Sequence, residues 1–546
     1  MSLNDATSVI DTLDNLIEQF TDPFAFYREL IQNSLDAGTN RIDIFIEFIP
    51  DEKKEGQGVM IIHVDDYGEG MNREVIDSQL TRLFSSSKEN DLTKIGKFGI
   101  GFVSVFAIKP DAIIIDTSKD GQDWRIIFNA DKSFERMKRD FPVDGTKIQV
   151  IKTCTEKFYN ESLSRSSETI NYWCRHSEAE IYFQDNKVNK PFDLKSPVKI
   201  HVNENTGEIV AGYTLEDPPF YGFYNQGLTL VEGRSQHFAN VAFKIKSKYL
   251  EHTLTRDNIR QDTHYWKAID LLKKIVLEEL PFSLFEEMEK QRLNHPNETE
   301  RYKELIEYLP RFIYNPDTIP KKCLDKAIAL DINKSPITLK EIRKIILDKT
   351  VFYDESPNII TQQLANENYK IILAEPSSEL ISVLDKIGRA LFNETIVLKA
   401  SAVYFKPEVV KRDKLSKEQK EIIREVSQLN KKMNVKISSP VFANFDYPES
   451  IIADKIYVMQ EKPGSMSHIS ELENKENLLA SLFSLFKKSK TLVLNINNPY
   501  VKGLMQLAKT DLNLSAYLLT KLLYIDDGIE TETDIKLINY TLERRS

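Results

Sequence analysis

The chain has 546 residues, 41% of them hydrophobic and 29% charged, the balance of a globular protein with several domains and ample core. A net charge of −10 argues against a generally basic nucleic-acid surface while leaving room for a local patch. No run approaches the ~20 apolar residues of a membrane span, the N-terminus lacks the basic and apolar regions of a secretion signal, and Cys154, Cys174 and Cys323 are too scattered for a disulfide framework or a zinc site. A cytoplasmic protein with buried thiols is the expectation.

Along the chain, Val9, Ile10, Leu13, Leu16 and Ile17 recur at helical spacing, and Thr21-Asp22-Pro23 stops that pattern and opens a new one. Phe24 to Gly38 then reads as a helix that places Glu29, Asn33 and Asp36 on one face, because the steps between them are four and three residues. Ile42 to Phe48 alternates as a strand, Asp51 to Gly58 is a charged hairpin loop, and Val59 to Val64 returns as a second strand. The β-rich run from Ile61 ends in a tight turn, Asp66-Tyr67-Gly68-Glu69-Gly70-Met71. Gly96-Lys97-Phe98-Gly99-Ile100-Gly101-Phe102 is a glycine-rich loop running into an apolar helix that reaches Phe106.

Together these clusters describe a nucleotide site. A nucleoside triphosphate needs Mg²⁺, which takes few protein oxygens and keeps several waters, and the Asn33 amide oxygen suits that role. A carboxylate one helical turn away, Glu29, is placed to orient and deprotonate an attacking water. Asp66 can accept from the exocyclic amine of a base, while Gly68 and Gly70 let the backbone approach a flat ring; adenine is favoured over guanine. Gly96, Gly99 and Gly101 free backbone N–H groups to face phosphate at a helix start. Each cluster alone also fits a solvated helix face or an ordinary turn; their order and spacing favour the site.

In that order and spacing the chain resembles the GHKL ATPase superfamily, which includes heat-shock protein 90 chaperones, MutL, DNA gyrase B, MORC proteins and histidine kinases. Glu29 to Ala37 matches E-L-I-x-N-x-x-D-A, Asp66 to Met71 matches D-x-G-x-G-M, and Gly96 to Phe106 matches the chaperone form G-x-F-G-x-G-F-x-S-x-F. Gly145-Thr146-Lys147-Ile148 is similar to the family's G-T-K-I strand, so the resemblance adds Thr146 to Asp66 at the adenine, and Asp36, Ala37 and Met71 to the binding set. It also implies a mobile lid over Phe84 to Ile95, where Ser-Ser-Lys88 looks nearer to MutL than to the chaperones; a plain surface loop is the other reading of Lys88. In relatives the N-terminal arm helps two ATP-bound domains dock; here it either packs on its own domain or is exchanged.

Beyond Val150 the polar stretch Lys152 to Ser167 breaks the strand pattern and places a boundary near residue 156. A helical run ends at Trp173 to His176, Glu180–Phe183 and Lys187–Lys190 flank an Asp185-Asn186 turn, and strands follow at Val198–Val202, Gly227–Val231 and Val241–Lys246. Thr255-Arg256-Asp257-Asn258-Ile259 resembles the chaperones' S-R-E-x-L loop, which makes Arg256 the residue reaching the γ-phosphate, with Lys248 and Arg260 as weaker substitutes. Trp266 to Phe312 is helical, and Val351 to Ile387 is a small α/β unit. Lys411, Arg412, Lys414, Lys417 and Lys420 form the most basic stretch and read as a solvated face. Lys490 to Met505 looks like the last part of the bacterial heat-shock-90 chaperone, a strand before a proline-started helix, and the apolar helix Leu514–Ile525 follows.

The expected fold is multidomain α/β (α+β): a GHKL α/β-sandwich ATPase domain over 1–155, a middle domain with the arginine loop over 156–345, a small α/β subdomain over 346–395 and a C-terminal dimerisation domain over 396–546. The resemblance implies Mg²⁺-dependent hydrolysis of ATP to ADP and phosphate in a homodimeric clamp acting on client proteins, with neither membrane nor nucleic acid as partner. Two alternatives stand beside it: a GHKL ATPase acting on nucleic acid, as in MutL or MORC-like systems, and a nucleotide-gated scaffold.

Overall fold

The computed structural model describes residues 13, 17, 18, 22–81, 100–204, 207–252, 259–295, 297–315, 317, 319–433, 437–445, 452–469, 490–525 and 531–544. It is a mixed α/β chain in two compact units, Met1–Leu280 and Pro281–Ser546. Among the described residues no helix is long and apolar enough to cross a membrane.

The first unit is built on an eight-stranded sheet. Helix α1 (Phe26–Asp36) buries Phe26, Tyr27, Leu30, Ile31 and Ser34, the stripe a 3.6-residue period sets on one side, and leaves Asn33 and Asp36 exposed. Gly38, at φ +75°, ends it: its N–H donates to the Leu35 carbonyl and that of Thr39 to Ser34, a left-handed closure that glycine enters without strain. Strands β1 (Arg41–Pro50) and β2 (Gln57–Asp66) form an antiparallel hairpin in which Ile42 faces Asp66 and Pro50 faces Gly58. With β3 (Ala112–Lys119), β4 (Gln122–Asn129), β5 (Phe134–Lys138), β6 (Thr146–Thr155), β7 (Glu180–Phe183) and β8 (Asn186–Lys187) the order is β5-β4-β3-β6-β2-β1-β7-β8. All neighbours are antiparallel except β1 and β7.

Alternate residues of this sheet, Ile42, Ile44, Ile46, Met60, Ile62, Val64, Ile113, Ile115 and Val150 among them, enter one core with α1. Helix α2 (Glu156–Cys174) joins that core through Ile170 and Cys174 and buries Ser162 and Ser166 in the same line, a step of four. The small serines let it lie close to α1, where the Tyr27 hydroxyl donates to Ser166 Oγ at 3.0 Å, so a segment that reads as polar is a packed helix. Burial raises the Tyr27 phenol pKa. The β7–β8 turn sits one residue earlier than its sequence suggests: Gln184 and Asp185, both at positive φ, join Phe183 to Asn186. Ile17, of the N-terminal arm, packs on the first unit's own core, and Leu13 is buried.

A second sheet in the first unit has the order β12-β11-β13-β10-β9, from β9 (Lys199–Glu204), β10 (Gly207–Tyr213), β11 (Phe220–Asn225), β12 (Leu228–Arg234) and β13 (Val241–Lys246). His252 and Ile259 then pair across residues 253–258. Helix α3 (Thr263–Lys274) starts at Asp262, whose carboxylate accepts from the N–H groups of His264 and Tyr265 at 2.9 and 3.0 Å.

In the second unit, Val351–Asp354 is the middle strand of a parallel sheet between Ile371–Leu373 and Val397–Lys399, accompanied by helices Ile359–Asn366 and Glu379–Phe392. Helix Lys417–Lys432 begins at a capping box on Ser416, and the basic residues Lys411, Arg412, Lys414, Lys417 and Lys420 lie exposed. Lys490–Asn495 is a central strand of a four-stranded sheet, and Pro499–Leu507 starts at Asn498 with proline in its first turn. Ala516, Tyr517, Leu519 and Leu522 of helix Leu512–Ile525 point into this unit's core.

Candidate nucleotide site

A cavity of about 320 Å³ opens between α1, the turn after β2, and the inner face of β3 and β6. That is the lower end of the ~300–1,000 Å³ range of small-molecule pockets. Asn33, Asp36, Ala37, Asp66, Gly70, Met71, Phe102 and Thr146 line it, so residues from all four motifs converge on one space.

The turn after β2 is held in detail. Asp66 is 6% exposed; its Oδ1 accepts from the N–H groups of Gly68 at 2.9 Å and Thr146 at 3.2 Å, and its Oδ2 lies 3.1 Å from the Ser34 hydroxyl. That hydroxyl also lies 3.0 Å from the Leu30 carbonyl and, with one proton, donates to one of the two at a time. Burial pushes the Asp66 pKa above the usual carboxylate value, against the Gly68, Ser34 and Thr146 donors that favour the anion. The result is a carboxylate with two backbone donors on one oxygen and acceptor capacity left on the other.

Two glycines make this geometry sterically possible. A Cβ on Gly145, at φ +66°, would stand 2.4 Å from the Asp66 carbonyl oxygen and 2.7 Å from Oδ1; one on Gly70, at φ +67°, would stand 2.2 Å from the Ser118 carbonyl oxygen. Gly68 lies outside the cavity lining and presses instead on the Ala37 carbonyl. The N–H of Met71 donates to Thr117 Oγ1 at 2.8 Å, and Thr117 meets Thr146, its register partner, hydroxyl to hydroxyl at 3.2 Å.

Along α1, Glu29 is half-buried and does not line the cavity, Asn33 is exposed one turn on at its wall, and Asp36 Oδ1 accepts from Gln32 at 3.0 Å. Gly101, in the short helix Ile100–Val103, abuts Glu29: a Cβ there would come within 2.4 Å of Glu29 Oε2. Phe102 is buried against Phe128, ring centroids 5.2 Å apart. Asn33, with an amide oxygen at the cavity wall and a carboxylate one turn away, fits what Mg²⁺ asks of a protein that supplies few ligands. Lys88, Gly96, Lys97, Phe98, Gly99 and Arg256, together with the Ile100 side chain, lie outside the described residues.

Ser34, Thr117 and Lys119 stand outside the residues to which the motifs point. Ser34 and Thr117 each had a signal: each is a polar residue at an inward position of an otherwise apolar pattern, Leu30-Ile31-Ser34 on the helix and Ile113-Ile115-Thr117 on the strand. Lys119 lines the cavity and its ammonium lies 2.6 Å from Glu69 Oε2, a contact that only the pairing of β3 beside the turn produces.

Residues 25–160 match the family model of histidine kinase-, DNA gyrase B- and HSP90-like ATPases. The chaperone protein HtpG of Anaplasma phagocytophilum is 28% identical over 36% of this chain and 34% of its own length. The DNA mismatch repair protein MutL of Shewanella oneidensis is 24% identical over 45% of this chain and 37% of its own, and MutL of Thermosipho melanesiensis 22% identical over 71% and 66%. The first two matches therefore take in about a third of those relatives' length. The sheet and helices around the cavity, the motifs that meet in it and the family match agree: the N-terminal part of the chain is a GHKL ATPase domain.

Proposed function

We propose that the chain binds ATP in this cavity and hydrolyses it to ADP and phosphate as a dimeric, heat-shock-90-type chaperone. The observation that carries the ATP part is the half-satisfied Asp66 carboxylate, an acceptor facing the cavity beside Thr146 and Ser34. Asp66 accepts from the adenine amine, the Thr146 hydroxyl completes the base contact, and Gly70 and Met71 lie along the ring. Glu29 orients and deprotonates the attacking water, Asn33 offers an oxygen to the metal, and Arg256 senses the γ-phosphate. Mg²⁺, when bound, neutralises phosphate charge.

Support for a dimer through the C-terminal region comes from helix Thr531–Glu543, where Ile535, Ile538 and Leu542 are 50%, 37% and 51% exposed at steps of three and four. Such a stripe suits a second copy. The long match to a MutL protein favours a second reading, action on nucleic acid. ATP-dependent suppression of aggregation of an unfolding protein, without duplex-DNA binding at physiological salt, supports the chaperone; salt-sensitive DNA binding without that suppression supports the second reading.

A further inference from the structure

Each of the two residues proposed at the base is followed in the chain by one on the opposite face, Lys147 on β6 and Tyr67 just past the end of β2. Asp66 and Thr146 point into the cavity; Tyr67 and Lys147, the next residues along the chain, point away. There the Lys147 ammonium sits 4.0 Å from the centre of the Tyr67 ring and 3.4 Å from Asp65, its register partner on β2. The Tyr67 hydroxyl donates to Asp43 Oδ2 at 2.8 Å, and Arg41 holds Asp43 with Nε at 3.1 and 3.0 Å from its two oxygens. The Tyr67 N–H also donates to Thr39 Oγ1 at 3.1 Å, just past the end of α1.

We infer that Tyr67 and Lys147 are positioning residues: their stacked contact clamps the β2 turn to the start of β6 from behind and so sets the distance between Asp66 and Thr146. This rests on the ATP reading above. The contact is well inside the ~6 Å range of cation–π attraction, and Asp65 supplies the counter-charge that keeps the ammonium over the ring. The Asp66 Oδ1 bond to the Thr146 N–H is the link most exposed to a change in that spacing, because it alone of the Oδ1 bonds spans two strands. A turn free to drift from β6 would still bind phosphate and metal, but would read the base less sharply.

The test is titration of the full chain with ATP and with GTP, for wild type, Tyr67→Ala, Tyr67→Phe and Lys147→Met, with kcat at saturating Mg-ATP and a urea midpoint for each. Tyr67→Ala and Lys147→Met are expected to weaken ATP binding about three- to tenfold and to narrow the preference for ATP over GTP, with kcat little changed. Tyr67→Phe, which keeps the ring over the ammonium, stays near wild type. Wild type that binds no ATP overturns the ATP reading and this inference with it. Wild type that binds ATP while Tyr67→Ala and Lys147→Met match it overturns the clamp alone. So does a loss of affinity that follows only a lower urea midpoint, with the ATP-to-GTP ratio unmoved.

Discussion

The end of the cavity proposed to take the base and the end proposed to take the phosphates are built differently. At the base end, backbone N–H groups, hydroxyls and close glycine contacts join Asp66, Thr117, Thr146, Gly70 and Gly145 in one network. At the phosphate end, Asn33 and Asp36 are exposed on a helix face, and Glu29 is crowded by Gly101. Recognition of a flat base needs donors and acceptors preset to a few tenths of an ångström, whereas the phosphate end must admit a charged, hydrated group. A buried carboxylate is raised in pKa by desolvation and has to be compensated; exposed groups need no such support.

The sharpest way to break the distinction is at the phosphate end. Glu29→Gln should leave ATP affinity close to wild type while lowering kcat by ~10²- to 10⁴-fold, the range of a lost general base; comparable turnover in both proteins would remove Glu29 from the chemistry. Gly145→Ala attacks the other end. The added Cβ meets Asp66 in a left-handed position, so ATP affinity should fall by about tenfold or more, and calorimetric titration reads it directly. A smaller effect follows from the Asp66 pKa. The anion accepts from an amine more strongly than the neutral acid, so ATP affinity should weaken as pH falls through the raised pKa, beginning above the ~3.9 of an exposed aspartate.

Another effect lies outside the cavity and bears on stability, not on nucleotide binding. His176 donates from Nδ1 to the Lys190 carbonyl at 3.1 Å and accepts at Nε2 from Lys244 at 3.0 Å, and burial pushes its pKa down from 6.5 to about 4. The folded state therefore holds the neutral ring. Its contribution is present above pH 6.5 and is lost as pH falls toward 4, because the unfolded chain binds the proton first. Thermal midpoints should decline across that window in wild type and decline less in His176→Gln.

The base end was the more legible in sequence, because its demands fall on residue types that cannot be exchanged. A left-handed turn against a carbonyl leaves glycine at 70 and a buried acceptor leaves aspartate at 66, whereas Gly68, expected beside the base, lies against the Ala37 carbonyl outside the cavity lining. Glu29, Asn33 and Asp36 were placed on one face by spacing alone, and α1 puts them there. Lys119 was not visible, since it owes its place to β3 lying beside the turn after β2, a contact between segments far apart in the chain. The polar α2 misled for a related reason: its serines are buried by a neighbour that periodicity does not reveal.

The most direct test of the account is ATP titration of wild type beside Asp66→Asn. Asparagine can keep the bonds from Gly68 and Thr146 on its carbonyl oxygen, and it presents an NH₂ group where Oδ2 stood. The account predicts that wild type binds ATP and that the variant, still folded, binds it about 100-fold more weakly because donor meets donor at the adenine amine. Equal ATP affinity in the two proteins, or a wild type that does not bind ATP, would contradict it.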